Sequence, residues 1–277
     1  MIERKHRCGK LVFDRNAIVR AALRAYIEAL FGDVPLKRLS FPASAGAMWT
    51  GDLQRGAIYN DDRCGNYDVV AWTETGIVGL AYELGFGPIE QLGLSVDAVT
   101  GGPDDVRGAL PGLPDQLEPA LVMAVGLLAT GEAHPNGVLY GERLAGVGFW
   151  LHGDRVAGTL FDDPTAAGAH RLAAWGLVGG GRLWPLSSYF SPRDRAIVEK
   201  YVCKDAPLHA IIDAVTDRAL TGPTEFTTAE LATLLPNPPS PETLLYAQRT
   251  LQKVGITWPG SPEIPPEEPP PTSLPKP

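Results

Sequence analysis

Cysteine is scarce: Cys8, Cys64 and Cys203 lie far apart in a chain of 277 residues. That spacing excludes a disulfide framework and a Cys-x-x-Cys metal knuckle, and it makes a reducing cytoplasm the default setting for free thiols. Long apolar runs are also missing. The longest, Ala120 to Ala129, amounts to roughly 15 Å of helix against about 30 Å of hydrocarbon. It predicts a buried helix and no membrane span. The basic N-terminus, Met1 to Lys10, has no apolar segment behind it, as a secretory signal requires. Nor is there a Walker loop, a dinucleotide-binding glycine pattern after a strand, a nucleophile elbow, a His-Glu-x-x-His helix or an EF-hand loop. Gly179-Gly180-Gly181 lacks the Lys-Ser/Thr of a phosphate loop and reads as a hinge or turn. The sequence therefore points to no cofactor and no metal, and favours a non-catalytic role over an enzymatic one.

Glycine and proline are plentiful, at 31 and 26 residues, so connections between elements should be long and turn-rich. The net charge of −8 is unevenly spread. Residues 1–40 carry nine Lys/Arg against four Asp/Glu, residues 41–131 three against twelve, and the remainder twelve against sixteen. An acidic centre repels phosphate backbones, which makes nucleic acid an unsuitable ligand and a basic protein a suitable one.

Periodicity predicts an α+β fold: a mostly antiparallel sheet built around two hairpins and flanked by helices, a C-terminal helical subdomain, and a disordered Pro-rich tail. A helix over Asp14 to Phe31 has Asp14 as its cap and Val19, Leu23, Ile27 and Leu30 as its apolar stripe. Arg15, Arg20, Arg24 and Glu28 fall on other faces, where water solvates them. Pro35 to Gly56 reads as irregular loop with short strands. Asp68 to Thr73 and Ile77 to Tyr82 flank a tight turn, and Gly146 to Leu151 and Val156 to Phe161 flank another. Both hairpins carry a Trp before the turn, Trp72 and Trp150, a resemblance that chance explains. Between them lies a Gly, Pro and Asp-rich loop, then a helix from about Gln116 to Ala129, apolar on every side and so placed inside, against the sheet. Asp163-Pro164 opens a helix through Trp175. Ser191-Pro192, Pro207, Thr227-x-x-Glu230 and Ser240-Pro241 open four more. From Thr257 onward nine of 21 residues are Pro, which predicts a solvated tail. The boundaries that follow are an α+β domain at 1–190, a helical subdomain at 191–256 and a tail at 257–277.

Three kinds of site compete. A hydrolytic or metal-dependent centre would gather Asp61, Asp62 and Asp68 with His152, Asp162, Asp163 and His170; its core would be Asp61, Asp62, His152, Asp163 and His170 as acid/base groups or ligands. Ordinary capping and turn chemistry explain the same aspartates. Cys64 as a nucleophile has only a neighbouring Arg63 to lower its pKa. A helix-turn-helix regulator is suggested by Thr227 to Leu235 followed by Ser240 to Ile256, but the start of its second helix offers Pro241, Glu242 and Thr243 where DNA wants basic groups. The favoured alternative is a cytoplasmic, immunity-like or adaptor protein that captures a basic protein. Its surface would be acidic and flanked by aromatics: Trp49, Tyr59, Asp61, Asp62, Tyr67 and Asp68. Sequence leaves the oligomeric state unknown.

Overall fold

The computed structural model describes residues 1–6, 9–31, 48–61, 66–83, 106–132, 147–162, 172, 206–235 and 241–261. Its centre is a six-stranded antiparallel sheet in sequence order. The strands are β3 (Met48–Gly51), β4 (Gly56–Asp61), β5 (Asn66–Thr73), β6 (Gly76–Glu83), β7 (Val147–His152) and β8 (Arg155–Ala157). Ahead of the sheet come a hairpin, β1 (Ile2–His6) and β2 (Gly9–Phe13), and helix α1 (Arg15–Phe31). Helix α2 (Glu118–Glu132) stands between β6 and β7 in sequence. The C-terminal part comprises α3 (Ala206–Thr221), β9 (Thr224–Glu225), α4 (Thr228–Leu234), α5 (Pro241–Lys253) and β10 (Ile256–Thr257).

The α+β reading holds, and so do both hairpins. Strand β5 pairs with β6 from Asn66–Glu83 to Thr73–Gly76, and β7 pairs with β8 through Leu151–Val156. The second hairpin is shorter than alternation predicts. At Gly158, φ is +142°, and a Cβ there would lie 2.1 Å from the Gly148 carbonyl oxygen. Only glycine lets the chain pass so close, and it leaves the sheet as a single 3-10 turn over Thr159–Asp162. Within Pro35 to Gly56, β3 is one of the expected short strands. Strand β4 was hidden, because Gly56-Ala-Ile-Tyr-Asn-Asp shows no run of β-branched residues.

Both faces of the sheet are covered. Trp49, Ile58, Val70, Trp72, Ile77, Phe149 and Leu151 point to one face and share a core with α1. Tyr59, Val69, Ala71, Val78, Leu80 and Trp150 point to the other and pack on Leu117, Leu121 and Ala124 of the α2 side. The apolar helix thus lies where its composition predicts, with Pro119 and Gly126 exposed among the positions whose burial is described. Trp72 and Trp150 lie on opposite faces, so the two hairpins are not structural equivalents.

Helix α1 is capped as predicted, with Ala17 N donating to Asp14 Oδ1 at 2.9 Å. Its charged side is not solvated, which corrects the expectation for Arg24 and Glu28. Helix α3 lies on that side, and Arg24 bridges Glu28 and Asp213, each at 2.6 Å. Arg20 reaches Asp217 at 2.7 Å. Helix α1 is therefore sandwiched between sheet and C-terminal helices, and its core runs into Ile212, Val215, Phe226 and Leu251.

In the C-terminal part, the Thr227–Glu230 capping box forms in full. Arg218 grips Glu230 with two hydrogen bonds of 2.9 and 3.0 Å. Burial, the largest influence on the Glu230 carboxyl, pushes its pKa up; the Arg218 contacts and the Thr227 backbone and hydroxyl outweigh it and hold it below the ordinary value. Strands β9 and β10 pair in parallel and tie the start of α4 to the end of α5. The fold also runs past residue 257. Trp258 is buried beside Phe31 and Phe226, because an indole next to two phenyl rings gains more inside than in a solvated tail. The helices expected at 163–175 and 191–202, the triple glycine, and residues 262–277 lie outside the described residues, Leu172 apart.

Candidate functional site

The two ends of the central sheet are built differently. At one end the connections are tight: 52–55 joins β3 to β4, 74–75 joins β5 to β6, and 153–154 joins β7 to β8. Charges there are spent on the turns themselves. Asp52 Oδ1 accepts hydrogen bonds from Gln54 N and Arg55 N at 2.7 and 2.8 Å. Arg15, at the start of α1, donates to the carbonyls of Thr73 and Gln54 at 2.6 and 2.7 Å. The Glu74 carboxyl sits below its ordinary pKa through its own backbone N–H first and Arg55 second.

At the other end the chain enters or leaves the sheet through 32–47, 62–65, 84–105 and 133–146. Long connections at one end of a rigid scaffold are where binding groups concentrate. In register, Asp61 stands opposite Tyr67, and Tyr67 opposite Tyr82; Glu83 closes β6 opposite Asn66. One residue further in, Asn60 stands opposite Asp68. Asn60 Nδ2 donates to Asp68 Oδ2 at 2.8 Å, and both residues are buried. A carboxylate inside a sheet costs several kcal/mol unless it is hydrogen-bonded, so this pair supports the strand ends above it.

Half of the predicted docking residues therefore belong underneath the surface. Trp49 packs against Tyr26 and Trp72 and donates from Nε1 to Gly51 O. Tyr59 lies in the core on the α2 face, and Asp68 has no exposed surface. A partner cannot touch these three. The cause is that helices cover both faces of the sheet, so an aromatic near a turn is not thereby at a rim. Asp61 and Tyr67 occupy strand-end positions, and Asp62 follows in the connection outside the described residues.

The acid/base constellation does not assemble among the described residues. Asp68 stands opposite Ala81, and Ala81 opposite Val147. His152 is five residues beyond Val147, about 17 Å along the strand, and it points to the α2 face while Asp68 points to the α1 face. Asp162 is exposed in the 3-10 turn after β8. Asp163, His170 and Cys64 lie outside the described residues, and among those described no three His, Cys, Asp or Glu side chains are grouped as metal ligands.

Models of known families, curated proteins and solved structures were compared with this chain. None matches.

Sequence alone missed Tyr82 and Glu83 at the loop-bearing end and Asn60 beneath it. The signal was available in principle: once β5 and β6 are paired about Glu74-Thr75, Tyr82 and Glu83 fall level with Tyr67 and Asn66. No helix among the described residues is long and apolar enough to cross a membrane.

Proposed function

We propose that this chain is a non-catalytic, cytoplasmic protein-binding protein whose docking end is the loop-bearing end of the sheet, and that it takes a basic protein partner, as an adaptor or an immunity-like protein does. One observation carries this reading: Asp61 and Glu83 end β4 and β6 on either side of β5, at the end where the connections 32–47, 84–105 and 133–146 join the sheet, with Tyr67 opposite Tyr82 in register. Strand-end carboxylates with aromatic neighbours suit a basic, partly apolar surface, and opposite charge at the rim speeds encounter. At the other end, Asp52, Glu74 and Arg15 are engaged in the turns.

The test is charge reversal with a matched control. Asp61→Lys with Asp62→Lys should abolish capture of a basic protein from the native cells, while Asp154→Lys at the tight-turn end should leave capture intact. Equal capture by both variants would refute the proposal.

A regulator is the second reading, favoured by one feature: β9 and β10 pair across α4 and α5, giving the helix–strand–helix–helix–strand order of a winged helix-turn-helix unit. Its exposed α5 positions include Leu245 and Arg249. A salt-sensitive shift of duplex DNA that is lost in Arg249→Glu would move the assignment there.

A further inference from the structure

Among the described residues, Asp68 is the only acidic side chain in the buried interior, and it has no exposed surface. Its neighbour across the ladder, Asn60, is buried as well. Opposite residues of antiparallel strands project to the same face, so carboxyl and carboxamide meet there as a pair. Asn60 Nδ2 donates to Asp68 Oδ2 at 2.8 Å. The other half of the amide is not satisfied: Asn60 Oδ1 is buried and accepts no hydrogen bond among the described residues. An acceptor left unpaired inside is costly, and an ionised carboxylate inside is costlier still. One change removes both costs. A protonated carboxyl is a donor as well as an acceptor, so acid and amide match edge to edge, N–H to the acid carbonyl and O–H to the amide carbonyl.

The described surroundings favour the uncharged form. The same row of the sheet continues through Ala81 and Val147, both buried. Of the ionisable groups of α1, only Tyr26 is on the sheet side, against Trp49. Arg24 holds Glu28 and Asp213, Arg20 holds Asp217, and Arg15 serves the opposite end. His209, Asp213, Asp217 and Arg218 belong to α3, beyond α1. In the N-terminal hairpin Arg4 donates to Val156 O at the β8 edge, and Lys10 pairs with Glu3. Burial among such neighbours favours the neutral carboxyl. We propose that Asp68 keeps its proton in the folded chain at neutral pH and donates it to Asn60 Oδ1, making the pair a proton-dependent latch between β4 and β5. The proton comes from solvent: the unfolded carboxyl is ionised at neutral pH, so folding takes up one proton. Once the proton leaves, acceptor faces acceptor, and the strand ends at Asp61 and Tyr67 lose their support. The latch does not depend on what the loop-bearing end binds.

Unfolding, hydrogen exchange and carboxyl NMR on the full chain test this, with Asp68→Asn as the comparison. That variant keeps a donor and an acceptor on both partners but has no titrating proton. From about pH 5 to pH 7 the parent's unfolding constant should rise relative to the variant's, by at most about tenfold per pH unit. At pH 7 the variant should melt at or above the parent. As pH rises to about 9, where buried carboxyls ionise, amide exchange at 57–60 and 67–70 should accelerate beyond its intrinsic pH dependence in the parent alone. With isotope-labelled aspartate, one carboxyl carbon of the parent should keep the position of a protonated acid at pH 7, and Asp68→Asn should lack it. A carboxylate held by a cation from one of the connections gives the reverse. Asp68→Asn then melts well below the parent at pH 7, the two unfolding constants keep one ratio from pH 5 to pH 7, and every aspartate carbon sits at the ionised position. Any of these, or equal pH dependence of exchange in both proteins, would overturn the inference. Should Asp68→Asn not fold, the parent's resonance decides: a protonated position supports the latch, and ionised positions throughout overturn it.

Discussion

The tight-turn end of the sheet and the loop-bearing end differ in how their polar groups are used. At the first, Asp52, Glu74 and Arg15 are bound to backbone groups or to neighbouring side chains, so they serve the fold. At the second, Asn60 and Asp68 form a buried support, and the residues beyond them, Asp61 and Glu83, end their strands among long connections. The contrast teaches that charge counts along a sequence do not locate a surface. Within the acidic block of residues 41–131, Asp52 and Glu74 belong to the tight turns, Asp61 and Glu83 to the opposite strand ends, and Asp68 to the interior.

This comparison makes substitutions at the two ends behave differently, and the differences can be ranked. Trp72→Ala, which empties a buried indole site and removes its hydrogen bond to Asp52 O at the tight-turn end, should cost about 3–5 kcal/mol in denaturant unfolding. Arg15→Ala should cost about 1–3 kcal/mol, since it deprives the Thr73 and Gln54 carbonyls of a charged donor. Asp52→Ala should cost about 1 kcal/mol through loss of its turn hydrogen bonds, a loss comparable to that of a helix cap. Asp61→Lys should stay within about 0.5 kcal/mol of the parent while abolishing partner capture. If Asp61→Lys unfolds the chain as strongly as Arg15→Ala, the division between a structural end and a docking end is wrong.

A smaller, pH-dependent effect belongs to the C-terminal part. The Glu230 pKa is lowered in the folded chain from its ordinary value of 4.5, so its contribution is present above that value and is lost as pH falls through the lower folded value. Glu230→Gln should therefore flatten the acid side of the stability profile below about pH 4.5, as read by thermal unfolding at stepped pH. A profile identical to that of the parent would show that the Arg218 grip contributes nothing to folding.

Much of the architecture could be read directly from the residues. Asp14 as a cap, Glu74-Thr75-Gly76 as a turn, the apolar Ala120 to Ala129 run as an inside helix, and Thr227-x-x-Glu230 as a capping box each rest on a local cause that needs no tertiary information. What stayed hidden depended on distant neighbours. Arg24 belongs inside because Asp213, 189 positions away, lies across from it. Strand β1, with Ile2 as its one large aliphatic residue among Glu3, Arg4, Lys5 and His6, reads as a charged leader until β2 pairs with it. For the candidate site, Asp61 and Tyr67 were recognisable from their place beside a strand. Trp49, Tyr59 and Asp68 were misplaced, since nothing local shows that Trp49 and Asp68 face α1 while Tyr59 faces α2.

A photo-crosslinking residue placed at position 61, and in a separate variant at position 154, tests the docking end most directly. The account predicts that position 61 gives a single adduct with a basic protein and that position 154 gives none. Adducts from position 154 alone, or equal adducts from both, would contradict it.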